Sequence, residues 1–169
     1  MLSPQKIRRF PFFAGLTYGN IVTIAGISEE ITAETGEFFF HENQIIDNIY
    51  LVLEGVVGIV MDVPAADVQH TVSEQLMREF QTDDAILTAV GPGDVFGWTG
   101  MVPDYVTTAG AKALTPSLVV AVDCEKLREH FETDCQFAYA MTQKIAQVMR
   151  SRLRDSRIEA LGIDNMVPA

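Results

Sequence analysis

A glycine-rich stretch at 91–113 is the part of the chain whose residue types could bind a ligand. It begins with a Gly-Pro-Gly turn at 91–93 and places Gly97 and Gly100 on either side of Trp98, the lone tryptophan. Glycines let a backbone turn sharply and approach a ligand closely, and a short helix beginning here would direct free N–H groups at it. Because isolated glycine-rich loops are weak signals, a surface turn between two strands explains the same residues. The stretch predicts either a turn or a ligand-binding loop.

The histidines form no metal-binding pattern. His41 precedes an apolar run at 49–53 as the histidine of a cupin's first motif does, but a cupin metal needs two or more histidines with a carboxylate. The other histidines, His70 and His130, stand far from it in sequence. No activated nucleophile or paired acid is evident elsewhere. We therefore expect His41 to be a turn residue, no metal, and no catalytic residue, with a cupin-type metalloenzyme as a remote alternative.

The two cysteines give neither a disulfide framework nor metal-ligand spacing. We expect both Cys124 and Cys135 to be reduced core or helix residues. Cys124 follows Asp123 at a predicted helix start, where the pKa of a thiol can fall, so a redox role is the alternative for that residue.

Composition predicts an acidic domain of ordinary size. The chain has 169 residues, 48% of them hydrophobic, which is enough for a substantial core. Its net charge of −11 argues against direct nucleic-acid binding, which needs clustered Lys and Arg. Arginines do cluster at 150–157, but they alternate with serine and acidic residues and indicate a solvated helix face. We find neither a signal-peptide core nor an apolar run long enough to span a bilayer, and expect a cytoplasmic protein without a membrane contact.

Most of the chain between residues 30 and 122 has the pattern of short antiparallel strands. β-branched and aromatic residues occur in brief runs that glycines and polar turns separate, as an antiparallel roll or barrel requires. A polar segment at 62–84 is predicted to be a long loop with a helical turn near 73–80. The predicted strands are 31–35, 37–40, 49–53, 56–61, 85–90, 107–113 and 117–122.

Helical signals stand at both ends of this region. Thr17 can cap a short helix that runs to about Ser28, and a short helix follows Asp123. A helix of about 27 residues begins after Asp134 and would reach about 40 Å, longer than one domain face needs. We expect two such helices to pair across a twofold axis, while a helix lying wholly on its own roll is the alternative. Its apolar positions are Phe137, Ala138, Met141, Ile145, Val148, Met149, Leu153, Ile158 and Leu161.

The order of these features resembles the cyclic nucleotide-binding domain of the catabolite activator family and of the regulatory subunits of cAMP-dependent kinase. The resemblance covers about residues 10–160. It implies an α+β fold, an antiparallel β-roll or jelly roll with a short N-terminal helix and a short and a long C-terminal helix. It also implies one domain at 1–169, with the roll at about 30–122 and a dimerisation helix at about 134–160. The markers are Gly36-Glu37 with Phe40, the strand 49–53 ending at Gly55, Gly93-Asp94 with Phe96-Gly97, Thr108-Ala109, and Arg152-Leu153.

The resemblance makes the glycine-rich stretch a phosphate-binding cassette with two replaced side chains. In the family a glutamate after the Phe-Gly pair accepts from the ribose hydroxyl and an arginine binds the cyclic phosphate. Those positions are Trp98 and Thr107 here, and Lys112 and Arg78 are the nearest substitute cations. Losing the arginine could weaken phosphate binding about tenfold to a hundredfold. The implied ligand-binding residues are Phe96, Gly97, Trp98, Thr99, Gly100, Thr107, Thr108, Ala109 and Ser156.

The implied function is a stand-alone sensor or regulatory module whose cAMP and cGMP binding is weak, altered or lost. No cofactor is certain; the ligand would be a cyclic nucleotide or another small molecule, and the partner a second copy or another protein. The alternative is a catabolite-activator-like transcription regulator. That class carries a helix-turn-helix after the long helix, and 162–169 is too short to supply it.

Overall fold

A computed structural model of the chain describes residues 2–64 and 82–161. The helices are α1 (Pro4–Arg8), α2 (Tyr18–Gly26), α3 (Cys124–Thr133) and α4 (Cys135–Ala160), with 3₁₀ turns at Pro11–Phe13 and Trp98–Met101. The strands are β1 (Ser28–Ala33), β2 (Phe38–Phe40), β3 (Asn48–Glu54), β4 (Val57–Pro64), β5 (Thr82–Val90), β6 (Val95–Phe96), β7 (Gly110–Ala113) and β8 (Ser117–Asp123).

The strands form two antiparallel four-stranded sheets, which confirms the predicted roll. One sheet has the order β1-β8-β3-β6 and the other β2-β7-β4-β5. Neighbours in space are distant in sequence, since β1 pairs with β8 along its whole length. The last strands therefore close the roll over the first, and the helical segments at both ends of the chain meet on one side.

The central strand β3 is buried on both faces because each face packs against a different core. Ile49 and Leu51 belong to a cluster with the helices, whereas Tyr50 and Val52 belong to the cluster inside the roll. Successive side chains of a strand point to opposite faces, so one strand serves both clusters. This explains why 49–53 reads as a continuous apolar run and not as an alternating one.

Side-chain caps set the starts of the three longer helices. Thr17 and Asn20 form a reciprocal capping box at α2, which ends at Gly26 and not at the predicted Ser28. Asp123 accepts from the Lys126 N–H at the start of α3. Asp134 accepts from the Phe137 N–H 2.9 Å away, so α4 begins where the sequence predicts.

The predicted loop at 62–84 is wrong at both ends. β4 continues to Pro64 and β5 begins at Thr82, and these two residues pair across the hairpin. The ladder extends beyond the core here, so its residues lack the apolar pattern that marks a strand. The segment 65–81, which includes Arg78 and the predicted helical turn, lies outside the described residues. β7 also begins at Gly110 and not at residue 107.

Candidate ligand-binding site

A cavity of about 280 Å³ lies between the roll, the glycine-rich stretch and α4. The roll contributes Phe40, Ile59, Leu87, Thr88, Val95 and Phe96. The glycine-rich stretch contributes Gly97, Trp98, Thr99, Thr108 and Ala109, and α4 contributes Arg152, Asp155, Ser156 and Glu159. The volume lies just below the lower end of the range for small-molecule pockets, so a ligand here would be small.

Gly97 makes the turn that brings the stretch to the cavity. Its φ of 69° is left-handed, and it directly precedes the 3₁₀ turn Trp98–Met101. A Cβ at this position would lie 2.9 Å from Cδ2 of Tyr50 and 3.2 Å from the carbonyl oxygen of Asn48. The turn therefore needs a glycine for both its backbone angle and its space.

An aromatic cluster forms the cavity wall on the roll side. The rings of Tyr50 and Phe96 stack with centroids 5.0 Å apart, and Phe40 lies 6.1 Å from Phe96. Tyr50 stands behind the wall, where burial raises the pKa of its hydroxyl above the usual value. The wall is therefore apolar and closely packed.

Seven of the nine predicted site residues line the cavity, and Gly100 and Thr107 do not. Gly100 faces away from it, because a Cβ there would lie 3.2 Å from Sγ of Cys124. The seven that line it are Phe96, Gly97, Trp98, Thr99, Thr108, Ala109 and Ser156.

Thr107, which lies just before β7, is a structural residue that holds the loop after β2 in place. Its side chain is buried, with 1% of the residue exposed. Its hydroxyl donates to the carbonyl oxygen of His41 at 2.7 Å and accepts from the Gln44 N–H at 2.9 Å. These bonds use the hydroxyl proton and one of its two lone pairs, and the side chain is buried away from the cavity lining, so we place no ligand contact on Thr107.

The nearest predicted substitute cation is also outside the cavity. Nζ of Lys112 lies 2.6 Å from a carboxylate oxygen of Asp84 and 5.0 Å from the centroid of the Phe38 ring. Within residues 2–64 and 82–161, the only cation that lines the cavity is Arg152. It shares its helix face with Asp155 and Glu159, and none of these three side chains forms an ion pair with another described residue.

Sequence reasoning missed Arg128, which holds the glycine-rich stretch to α3. Its guanidinium donates to the carbonyl oxygen of Gly100 at 2.7 Å and lies 4.3 Å from the centroid of the Tyr105 ring. One signal was available, since Arg128 precedes Phe131 by three residues and therefore lies beside it on the helix. A charge on an inward face requires a specific partner.

His41 and Cys124 are each packed against other residues of the fold. The His41 ring stacks on Phe38 with centroids 4.0 Å apart. Burial raises the pKa of the Cys124 thiol to about 12, although Arg128 opposes the shift. The proposed lowering of this pKa at the helix start is therefore wrong, and the geometry gives no support to a redox role. Across the described part of the chain, no group of three or more His, Cys, Asp and Glu residues is placed to bind a metal ion.

Comparison with known proteins identifies the fold and the family. The model of the cyclic nucleotide-binding domain matches residues 30–134. A crystal structure of a protein from Geobacter metallireducens, described as a cyclic nucleotide-binding protein, is 31% identical. The match covers 90% of this chain and 99% of that one, with a TM-score of 0.71. The chain belongs to the cyclic nucleotide-binding domain family.

More distant members share the same fold. A cyclic nucleotide-binding domain from Methylobacillus flagellatus has a TM-score of 0.70 at 14% identity, covering 97% of this chain and 83% of that one. The catabolite activator protein of Thermus thermophilus has a TM-score of 0.63 at 19% identity, covering 89% of this chain and 61% of that one. No curated protein sequence matches the chain. Among the described residues of this family member, no helix is both long and apolar enough to cross a membrane.

Proposed function

We propose that this chain is a regulatory module in which a small ligand binds the cavity and α4 transmits the change to a second copy. The observation that carries the proposal is the position of the cavity, which Trp98 and Thr99 border on one side and Ser156 of α4 on the other. A ligand there contacts both the glycine-rich stretch and the long helix. Ligand occupancy and helix position are then linked, and no chemical step is required.

Cyclic nucleotides are poor candidates for this ligand. The family's ribose glutamate is replaced by Trp98, which borders the cavity, packs against the helix-side core and has no carboxylate to accept from a ribose hydroxyl. Thr107 stands at the position of the phosphate arginine and is engaged by His41 and Gln44. A buried phosphate needs its charge compensated, and loss of a bidentate arginine weakens binding about tenfold to a hundredfold. We therefore expect weak or absent binding of cAMP and cGMP.

Calorimetric titration tests this expectation. We expect dissociation constants for cAMP and cGMP weaker than about 100 µM. The fluorescence of Trp98, the single tryptophan, gives a second signal from the cavity wall itself. Binding in the micromolar range or tighter, with a change at Trp98, would show that the cassette still recognises a cyclic phosphate.

The proposed second copy is supported by the two apolar faces of α4. One face packs on the domain through Phe137, Met141 and Ile145, which are buried. The other lies roughly 100° further round the helix, at 100° per residue, and is exposed along its length. We call this exposed face the seam; its residues are Tyr139, Thr142, Ala146, Met149, Leu153, Ser156 and Ala160.

The seam has the spacing of a helix pair. Its members alternate three and four residues apart, which is the spacing by which two helices interlock side by side. Tyr139 and Leu153 expose 67% and 53% of their surface, and with the exposed Met149 they lie along one helix face, an arrangement that marks an interaction surface. In the proposed dimer, a second α4 across a twofold axis covers this face. Because Ser156 belongs to both the seam and the cavity lining, the interface borders the ligand site.

A further inference from the structure

We propose that the cavity takes an organic cation with a flat, largely apolar body, and that it disfavours anions. This inference rests on the proposed ligand-binding role of the cavity and adds the chemical class of the ligand. It depends on two features of the lining: aromatic walls, and a helix face on which carboxylates outnumber cations.

The walls favour a flat apolar molecule. Phe40, Phe96 and Ile59, which pack inside the roll, border this space together with Leu87, and Trp98 borders it from the glycine-rich stretch. Phe96 is 2% exposed, so its ring is fixed by its neighbours. Aromatic faces carry negative charge density and attract cations that lie over them, Trp most strongly. The wall can therefore hold both the apolar body and a positive charge.

The charged side chains of α4 favour a ligand with a positive charge. Arg152, Asp155 and Glu159 stand at positions i, i+3 and i+7 of one helix, so all three face the cavity from the same side. One guanidinium and two carboxylates leave a net charge of −1 on this face. The cassette adds Gly97, Thr99 and Thr108 and no charge. Two carboxylates would repel a phosphate here and one arginine would attract it. A cation would be attracted by the two carboxylates and repelled by the arginine.

The expected selectivity is moderate because the carboxylates are partly in water. Asp155 and Glu159 are both exposed, and exposed ion pairs contribute only modest affinity. We expect a cation to bind about fivefold or more tightly than an anion of the same shape.

Three naphthalenes that differ only in charge test the proposal. Naphthalene-2-carboxamidine is cationic, the 2-carboxamide is neutral and the 2-carboxylate is anionic, while their rings are the same. Calorimetry on the full chain gives each affinity. The single indole N–H resonance of Trp98 in ¹H–¹⁵N spectra reports whether the cavity is the site. We expect affinity to fall in the order amidine, amide, carboxylate, with the Trp98 resonance shifting.

Variants assign the selectivity to the helix face. The combined substitution Asp155→Asn and Glu159→Gln should remove the preference for the amidine, because it leaves Arg152 alone. Glu132→Gln is the matched control; it removes an exposed carboxylate of α3 outside the cavity lining and should leave the preference intact.

The outcomes separate this inference from the proposed function. A carboxylate that binds as tightly as the amidine, or a preference that survives the double substitution, overturns the charge selectivity and leaves the ligand-binding role standing. Binding of none of the three probes overturns the ligand class. If cAMP and cGMP also fail to bind and the Trp98 resonance does not move, the ligand-binding role of the cavity fails as well.

Discussion

The turn at Gly97 depends on the absence of a single side chain. We expect Gly97→Ala to lower the free energy of unfolding by about 2–4 kcal/mol, because it adds strain at positive φ to a contact with the Tyr50 ring. Gly36→Ala is the matched control: its φ of +94° is also left-handed, but no atom lies within 4 Å of the added methyl. It should cost only the backbone strain, about 1–2 kcal/mol.

Urea unfolding of the two variants measures the difference directly. Equal losses would mean that the Tyr50 ring moves aside and that only the backbone angle requires glycine. The wild-type protein and both variants should share one denaturant slope, since neither change alters the surface exposed on unfolding.

The residue pattern predicted seven of the fifteen residues that line the cavity but not what each polar group does there. Phe96, Trp98 and Thr108 could be placed because their order matches a family pattern. Thr107 could not, because its bonds to His41 and Gln44 join segments more than sixty residues apart in the sequence. A sequence shows which groups can form hydrogen bonds, and only the fold shows which partners they meet.

At the level of elements, Arg128 joins α3 to the 3₁₀ turn that borders the cavity. We expect Arg128→Ala to speed hydrogen exchange about tenfold or more at the Gly100 and Val102 amides, because a charge-assisted bond to the Gly100 carbonyl oxygen is lost. Both amides are hydrogen-bonded within the turn, to Gly97 and Thr99 respectively, so their protection is measurable.

Lys126→Ala provides the control on the same helix. The Lys126 side chain is 60% exposed and pairs only with Asp123 among the described residues. Its removal should leave exchange at Gly100 and Val102 unchanged. Equal acceleration in both variants would place the effect in α3 as a whole and not in the bond that Arg128 makes.

Helices were predictable where a side chain caps their first turn, and strands where their side chains are buried. Thr17, Asp123 and Asp134 are local signals, and each begins the predicted helix. The outer part of the β4–β5 hairpin was missed because Asp83 and Asp84 have low strand propensity. Pairing with β4 outweighs that propensity, and a pairing partner cannot be read from the segment itself.

For the whole molecule, the seam predicts a dimer. We expect light scattering to give a dimer mass at tens of micromolar protein, and Leu153→Glu to shift the protein towards the monomer, because the substitution places two carboxylates at a twofold interface. Gln147→Glu adds the same charge to α4 away from the seam and should not change the mass. A monomeric wild type contradicts the proposal, as does equal dissociation of both variants.

The sequence predicted the length of α4, but its apolar pattern did not distinguish the face that packs on the domain from the exposed face. Met141 and Met149 both count as apolar positions in one helical pattern, yet one is buried on the domain and the other is exposed. A period of 3.6 residues cannot say which of two neighbouring stripes the domain covers. Only the packing of α4 on the rest of the chain separates them.

The different burial of the two cysteines allows a distance within the unmodified chain to be measured by fluorescence energy transfer. Cys124 is fully buried with its pKa raised to about 12, whereas Cys135 is exposed at the first residue of α4. A maleimide dye therefore attaches at one defined point. With Trp98 as the only tryptophan, energy transfer from the cavity wall to the start of the long helix can be followed without any substitution.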